Sequence, residues 1–274
     1  MWHAKWMQKY LLPEHIEEAD LRKLCTLQMI HFMRYTEELE RLLVSPVLND
    51  VVNGCFDAAI AQDPVGMKSA AIRILTDEAY HASFSFDAYY DMLNKFDLSE
   101  LGRTKKTEKI INKIQAGKEE DRLFRRMIVA VMSESNVTND LARLSKSIKP
   151  GPFQDMILDH LHDERSHMLF FGHLFSMFWQ SLDESQQVHY GRQIPELMRE
   201  FYRKDAAWLA ENCDAMGVSA NLKINLQNYR HNNLIRIIND QAKPFFSLLN
   251  KNAVFENHQI AAHFNEQNFS YGFQ

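Results

Sequence analysis

Glycine and proline are scarce in this sequence, at 9 and 7 of 274 residues. Average usage of the two residues would be about twice as high, and the many short loops of a β-sandwich or barrel depend on them. Their scarcity argues against those fold classes. The hydrophobic fraction of 46% and the charged fraction of 24% are those of an ordinary globular protein. We therefore predict an all-α fold.

Cysteine, long apolar runs and an excess of positive charge are also missing. Cys25, Cys55 and Cys213 are odd in number and form no CxxC pair, so they suit a reducing cytosol better than a disulfide framework. The longest apolar stretch, residues 168–179, is far shorter than the roughly 20 residues of a membrane span. The formal net charge of -5 argues against a nucleic-acid partner. These absences predict a cytoplasmic protein without membrane or nucleic-acid partners.

Helical periodicity is visible in four long segments, each ended by glycine, proline or asparagine. The segments are about residues 14–44, 64–95, 119–147 and 152–182, and the polar residues 103–118 link the second to the third. Shorter helical segments follow at about 186–212 and 221–250, whereas residues 252–274 show no period. We predict one domain over residues 1–274. It consists of a ferritin-like four-helix bundle at about 14–182, packed helices at 183–250, and a surface tail at 251–274.

The string Asp-Glu-x-x-His occurs twice, at residues 77–81 and 163–167. Residues three apart on a helix project from the same side, so each string presents a carboxylate and an imidazole to one point. The Glu-x-x-His unit occurs on two helices of carboxylate-bridged dimetal bundles. The predicted ligands from these strings are Glu78, His81, Glu164 and His167.

A dimetal bundle also needs a glutamate from each of its other two helices, and a helical hairpin places that residue about 30 to 40 positions earlier. Glu134 lies 30 residues before Glu164, in an otherwise apolar segment. The first helix offers three candidates, Glu37, Glu38 and Glu40. We choose Glu40 because apolar residues mark a core-facing side near it, although periodicity alone does not separate the three well.

His160 precedes Glu164 by four residues and therefore lies on the same helix stripe. It brings the predicted set to four carboxylates and three imidazoles. Four carboxylates balance two divalent cations, so the buried centre is near neutral. This mixture favours two iron ions, with manganese as the alternative, and the absence of cysteine argues against a structural zinc site.

Asp77 and Asp163 directly precede the two glutamates of the repeated string. One position along a helix turns a side chain away by about 100°, so these residues are poorly placed as ligands. They can reach a neighbouring helix instead. We predict that they accept the N–H of a ligand histidine that does not face the metal, which fixes the orientation of the ring.

These motifs resemble the AurF/CmlI-type p-aminobenzoate N-oxygenase family of non-haem di-iron oxygenases. The resemblance rests on residues 35–46 (beginning YTEELE), 77–81 (DEAYH), Glu134 and 160–167 (HLHDERSH), of which the third histidine is the most diagnostic. It covers about residues 30–178. The resemblance implies a ferritin-like bundle in which the matching positions bind two irons. It also implies use of O2, reduction by an external electron donor, and oxidation of an amine to hydroxylamine, nitroso and nitro products in secondary metabolism.

The resemblance leaves the substrate open, either a small-molecule amine or an amine carried on a carrier protein. A homodimer is compatible with the sequence. Three other functions compete with N-oxygenation: a dimetal oxygenase that acts on carbon as a hydroxylase or desaturase, a ferroxidase or iron-handling ferritin-like protein, and a helical interaction protein without metal. The ligand set does not separate the two oxygenases, since both use the same donors.

Overall fold

The computed structural model describes residues 16–230 and 232–271, and within these ranges the protein is all-α, as predicted. The N-terminal part comprises α1 (Glu18–Leu39), a π-helical turn (Glu40–Val44), α2 (Ser45–Val52), α3 (Pro64–Lys95), α4 (Lys105–Gln115), α5 (Glu119–Ser145) and α6 (Pro152–Ser181). The C-terminal part comprises α7 (Glu184–Gly191), α8 (Ile194–Tyr202), α9 (Ala206–Asn212), α10 (Ala220–Gln227), α11 (Leu234–Gln241), α12 (Lys243–Lys251), a 3-10 turn (Val254–Glu256) and α13 (His258–Glu266). None of the described helices is long and apolar enough to cross a membrane.

The four long helices α1, α3, α5 and α6 correspond to the four long segments predicted from periodicity. Helices α5 and α6 form a hairpin, and α1 packs along α3. The π-helical turn touches both α3 and α5, and α3 also packs on α6. These contacts bring all four long helical segments around one interior, where the predicted ligands lie.

Local signals in the sequence set the ends of two of these helices. The side chain of Asp63 accepts a hydrogen bond from the backbone N–H of Gly66 at 3.0 Å, and Pro64 occupies the first turn of α3. Such a cap satisfies a backbone donor that has no partner within the helix. Gly151 adopts a φ of 152° just before Pro152. The break predicted at residues 149–152 therefore separates α5 from α6.

The first helix does not break at Ser45-Pro46, where the sequence predicts an interruption. The backbone N–H of Ser45 donates to the carbonyl of Glu40, five residues earlier, so the chain makes one wide turn and continues as α2. Proline lacks an N–H, and in a regular α-helix its ring clashes with the carbonyl four residues before it. The π-helical turn accommodates Pro46 without ending the helical path.

The structure contradicts two expectations about secondary structure. Helix α4 lies within the polar residues 103–118, where its lysines obscure a narrow apolar side formed by Ile110 and Ile114. The predicted surface tail at 251–274 instead contains α13, and Ile260 and Phe264 of that helix are fully buried in the main core. Residues 272–274 lie outside the described part. The sequence of α4 and of α13 shows no clear helical period, because only a few buried side chains in each short helix mark it.

Candidate metal centre

All seven predicted metal ligands lie together in the interior of the bundle, and each is at most 1% exposed. Glu40 comes from the π-helical turn, Glu134 comes from α5, and the other five come from α3 and α6. Their donor atoms form three overlapping groups, each within 4.8 Å. The groups are Glu78, His81, Glu164 and His167; Glu40, His160 and Glu164; and Glu40, Glu78 and Glu134.

Three carboxylates, those of Glu40, Glu78 and Glu164, each belong to two of the groups. A carboxylate has two oxygens and can therefore serve two neighbouring cations at once. Shared carboxylates between adjacent groups are the arrangement that a two-metal centre needs. The described residues thus offer donors for two ions close together.

The hydrogen bonding of these groups fits cations in the centre. Seven side-chain atoms of the cluster are buried and have no hydrogen-bond partner among the described residues. They are Oε2 of Glu40, both carboxylate oxygens of Glu78, Oε2 of Glu134, Oε2 of Glu164, and Nδ1 of His81 and His167. Each such buried atom costs roughly 1–3 kcal/mol when it has no partner. Metal coordination would satisfy them together.

The electrostatics of the cluster show what the residues do without cations. Burial, and then the charges of the neighbouring carboxylates, raise the pKa of Glu40 and of Glu134 well above the usual range. Burial acts in the opposite direction on His167, but the carboxylates of Glu164 and Glu78 beside its ring outweigh it and raise the pKa of His167 to about 11. Protons therefore hold the cluster near neutral charge, and bound cations would displace them.

Asp77 and Asp163 make the contacts predicted for them. Oδ2 of Asp163 lies 3.3 Å from Nε2 of His81, and Oδ2 of Asp77 lies 3.2 Å from Nε2 of His167. Each aspartate thus reaches across to the other helix of the pair. A carboxylate at this distance keeps a proton on Nε2, so a cation that displaces the other proton would bind Nδ1 of the same ring.

The geometry selects Glu40 from the three glutamates that periodicity leaves open. The carboxylate of Glu38 accepts a hydrogen bond from the hydroxyl of Thr104 at 2.6 Å, and Glu37 pairs with Arg41. Neither Glu37 nor Glu38 is in any of the three donor groups. Glu40 is in two of them, in agreement with the choice made from the sequence.

Several polar residues near the centre were not found by sequence reasoning. A cavity of about 250 Å³ has His160 in its wall together with Tyr35, Ser133, Lys106 and Lys204. These five residues come from five separate helical segments or their flanks, so no spacing in the sequence relates them. Two hydrophobic residues near the ligand strings, Tyr80 and Phe84, do not line this cavity.

Comparison of the chain with protein-family models gives no match, and neither does comparison with curated proteins. Membership of the N-oxygenase family therefore stays a prediction from the motifs. The buried carboxylate and histidine cluster stands on its own geometry and could hold metal ions.

Proposed function

We propose that this protein is a non-haem di-iron oxygenase that oxidises the nitrogen of an amine. One observation supports the dimetal part above all others. Four buried carboxylates and three buried imidazoles from four helical segments converge, and seven of their donor atoms have no hydrogen-bond partner among the described residues. Carboxylate oxygens combined with imidazole nitrogens are a donor set that suits iron and manganese.

The groups of donor atoms indicate which residues would hold the two ions. Glu78, His81, Glu164 and His167 would hold one ion, and Glu40, His160 and Glu164 would hold the other. Glu134 would add its carboxylate to the centre beside Glu40 and Glu78. When bound, iron would supply the one-electron chemistry that O2 needs, with electrons from an external donor. Manganese is the alternative occupant.

The chain's own residues provide orientation and the exclusion of water. Within the described part of the chain the seven ligands are buried away from bulk solvent, and His160 also lines the cavity. Asp77 and Asp163 hold two of the imidazole rings in place. A cavity next to the centre is what an enzyme with an organic co-substrate requires, and this favours an oxygenase over an iron-handling protein.

The choice of nitrogen over carbon rests on the resemblance of the motifs, above all on the third histidine, His160. A neutral third imidazole adds a donor to one metal position beyond the pair of Glu-x-x-His units. An oxygenase that acts on carbon would use the same carboxylates. The product of the reaction distinguishes the two.

Metal analysis followed by oxygen kinetics tests this function. We expect two irons per chain after anaerobic loading with Fe(II), and O2 consumption that depends on an added amine and yields hydroxylamine, nitroso or nitro products by mass spectrometry. Glu134→Ala should lose two-metal occupancy because the centre loses one of its four carboxylates. Glu120→Ala, an exposed change on the same helix, is the matched control.

The outcomes separate the parts of the proposal. Full iron occupancy in Glu134→Ala would remove Glu134 from the ligand set, and the absence of stoichiometric metal in the unmodified protein would refute the dimetal centre. Two irons with hydroxylated or desaturated carbon products would retain the centre and replace N-oxygenation. Repeated Fe(II) oxidation without any co-substrate would instead indicate a ferroxidase.

A further inference from the structure

The cavity beside the candidate metal centre has the size and lining of a small-molecule pocket. Its volume is about 250 Å³, and Phe32, Leu39 and Val137 form part of its apolar wall. Pockets for drug-sized ligands measure roughly 300–1,000 Å³ and are mostly apolar, with a few polar groups that orient the ligand. This cavity therefore suits a molecule somewhat smaller than a drug.

The charged groups of the wall are mainly cationic. Four basic residues and two carboxylates line the cavity, a formal excess of two positive charges, although the formal net charge of the chain is -5. The cations are Lys106, Arg143, Lys204 and Lys243, and the carboxylates are Asp140 and Asp240. A cleft of one sign of charge with apolar walls raises the local concentration of ligands of the opposite sign.

Lys106 is a cation of this wall whose ammonium group lies against aromatic rings. Its Nζ lies 4.2 Å from the ring centroid of Tyr35 and 4.8 Å from that of Phe201. In the part of the chain that the structure describes, no carboxylate forms an ion pair with this nitrogen. Burial, and then the charge of Lys204, lower the pKa of Lys106 to about 7. A bound anion would offset both effects.

Buried polar contacts hold the backbone of Lys106 in place. Its N–H donates to Oδ2 of Asp205 at 3.0 Å, and the same oxygen lies 3.2 Å from Nε2 of His31. The hydroxyl of Thr104, two residues earlier, donates to the buried carboxylate of Glu38 at 2.6 Å. The first turn of α4 is thus anchored to α1, so the lysine projects from a rigid element and is positioned before any ligand arrives.

We propose that Lys106 determines the specificity of this cavity by binding the carboxylate or phosphate of a small organic anion, whose other end faces the metal centre at His160. The ammonium group of lysine is a compact charge that pairs with either kind of anion. The identification of this anion as the substrate rests on the proposed function. In that case an amine with an acidic group would place the acid at Lys106 and the amine towards the centre.

Isothermal titration calorimetry tests the proposal without requiring any turnover. The probes are benzoate, phenyl phosphate and the neutral benzamide, each titrated into metal-free and Mn(II)-loaded protein. We expect at least one anion to bind about 10-fold or more tightly than benzamide. The same preference in the metal-free protein excludes direct coordination of the anion to the metal. The better of the two anions identifies the acidic group as carboxylate or phosphate.

Variants assign the preference to Lys106. Lys106→Met should abolish it, Lys106→Arg should retain most of it, and Lys109→Met, an exposed change on the same helix, should leave it intact. Equal affinity for anions and benzamide, a preference that persists in Lys106→Met, or no anion binding overturns the proposal.

Should Lys106→Met fail to fold, lysine labelling of the unmodified protein decides: the bound anion protects Lys106 and not Lys109, and equal labelling overturns the proposal. Anion preference without amine oxidation would refute the proposed function alone.

Discussion

At the scale of single residues, the aspartates beside the ligand glutamates show how the centre is oriented. Asp77 and Asp163 have side chains that are 40% and 31% exposed, whereas the histidines that they contact are fully buried. Each aspartate is therefore partly hydrated while it holds an imidazole ring from the opposite helix. The crossed contacts also tie α3 to α6.

Replacing one of these aspartates should weaken the centre without removing a ligand. We predict that Asp163→Ala lowers metal retention by about 10- to 100-fold, because His81 loses the group that fixes its ring and tautomer. Asp163→Asn should lose less, since the amide oxygen still accepts a hydrogen bond. Equilibration with graded chelator, followed by metal analysis, measures the change. Asp159→Ala, exposed on the same helix, is the control, and equal retention in Asp163→Ala and this control would contradict the role.

At the scale of secondary-structure elements, the π-helical turn and the short helix α13 add features that the four long helices do not supply. The π-helical turn begins at Glu40, so the widened turn and the glutamate that joins two donor groups coincide. Wide turns of this kind are frequent at functional sites. Helix α13 packs against α7 and the 3-10 turn. A Cβ at Gly191 would lie 2.6 Å from Cδ1 of Ile260, so α7 and α13 approach closely.

The docking of α13 predicts a large loss of stability when its main core residue is truncated. Phe264 is fully buried and contacts Phe255 and Phe269. We predict that Phe264→Ala lowers the free energy of unfolding by about 3–5 kcal/mol, the usual cost of such a cavity. Urea unfolding measures it. Asn265→Ala, exposed in the same helix, should change the value by less than about 0.5 kcal/mol. A similarly small effect for Phe264→Ala would restore the interpretation of this segment as a surface tail.

At the scale of the whole molecule, protons and cations compete for one buried interior. Without cations, the raised pKa values of Glu40 and Glu134 mean that the folded protein binds more protons than the unfolded chain above about pH 4.5. Its stability therefore falls as pH rises towards those raised pKa values. Cations need the ionised carboxylates, so their binding strengthens over the same pH range.

Metal loading should accordingly stabilise the protein more at higher pH. We predict that Mn(II), used under air in place of iron, raises the melting temperature by a larger margin at pH 8 than at pH 6 and releases protons on binding. Thermal unfolding with and without metal, together with calorimetry in two buffers of different ionisation enthalpy, measures both effects. Glu78→Gln should reduce the margin at either pH. An equal rise in melting temperature at pH 6 and pH 8, with no proton release, would contradict this competition between protons and cations.

The sequence by itself determined the helical class, the four long helices and, apart from the choice among Glu37, Glu38 and Glu40, the residues of the cluster. The repeated Asp-Glu-x-x-His string and the hairpin spacing of Glu134 are local features, and helix geometry translates them directly into side chains that share a face. The same geometry predicted that Asp77 and Asp163 each reach a ligand histidine on a neighbouring helix, whereas the packing decided which histidine each one contacts.

Only the tertiary structure decided between Glu37, Glu38 and Glu40, because neighbouring positions on one helix differ in the contacts that other elements make. Glu38 accepts a hydrogen bond from Thr104 and Glu37 forms an ion pair with Arg41, whereas Glu40 lies among the donor groups of the other long helices. The cationic cavity likewise depends on the tertiary structure, since Lys106 and His160 come from distant parts of the chain. The burial of Phe264 could not be predicted either, because a short helix with few core contacts is stabilised by docking and not by its own pattern.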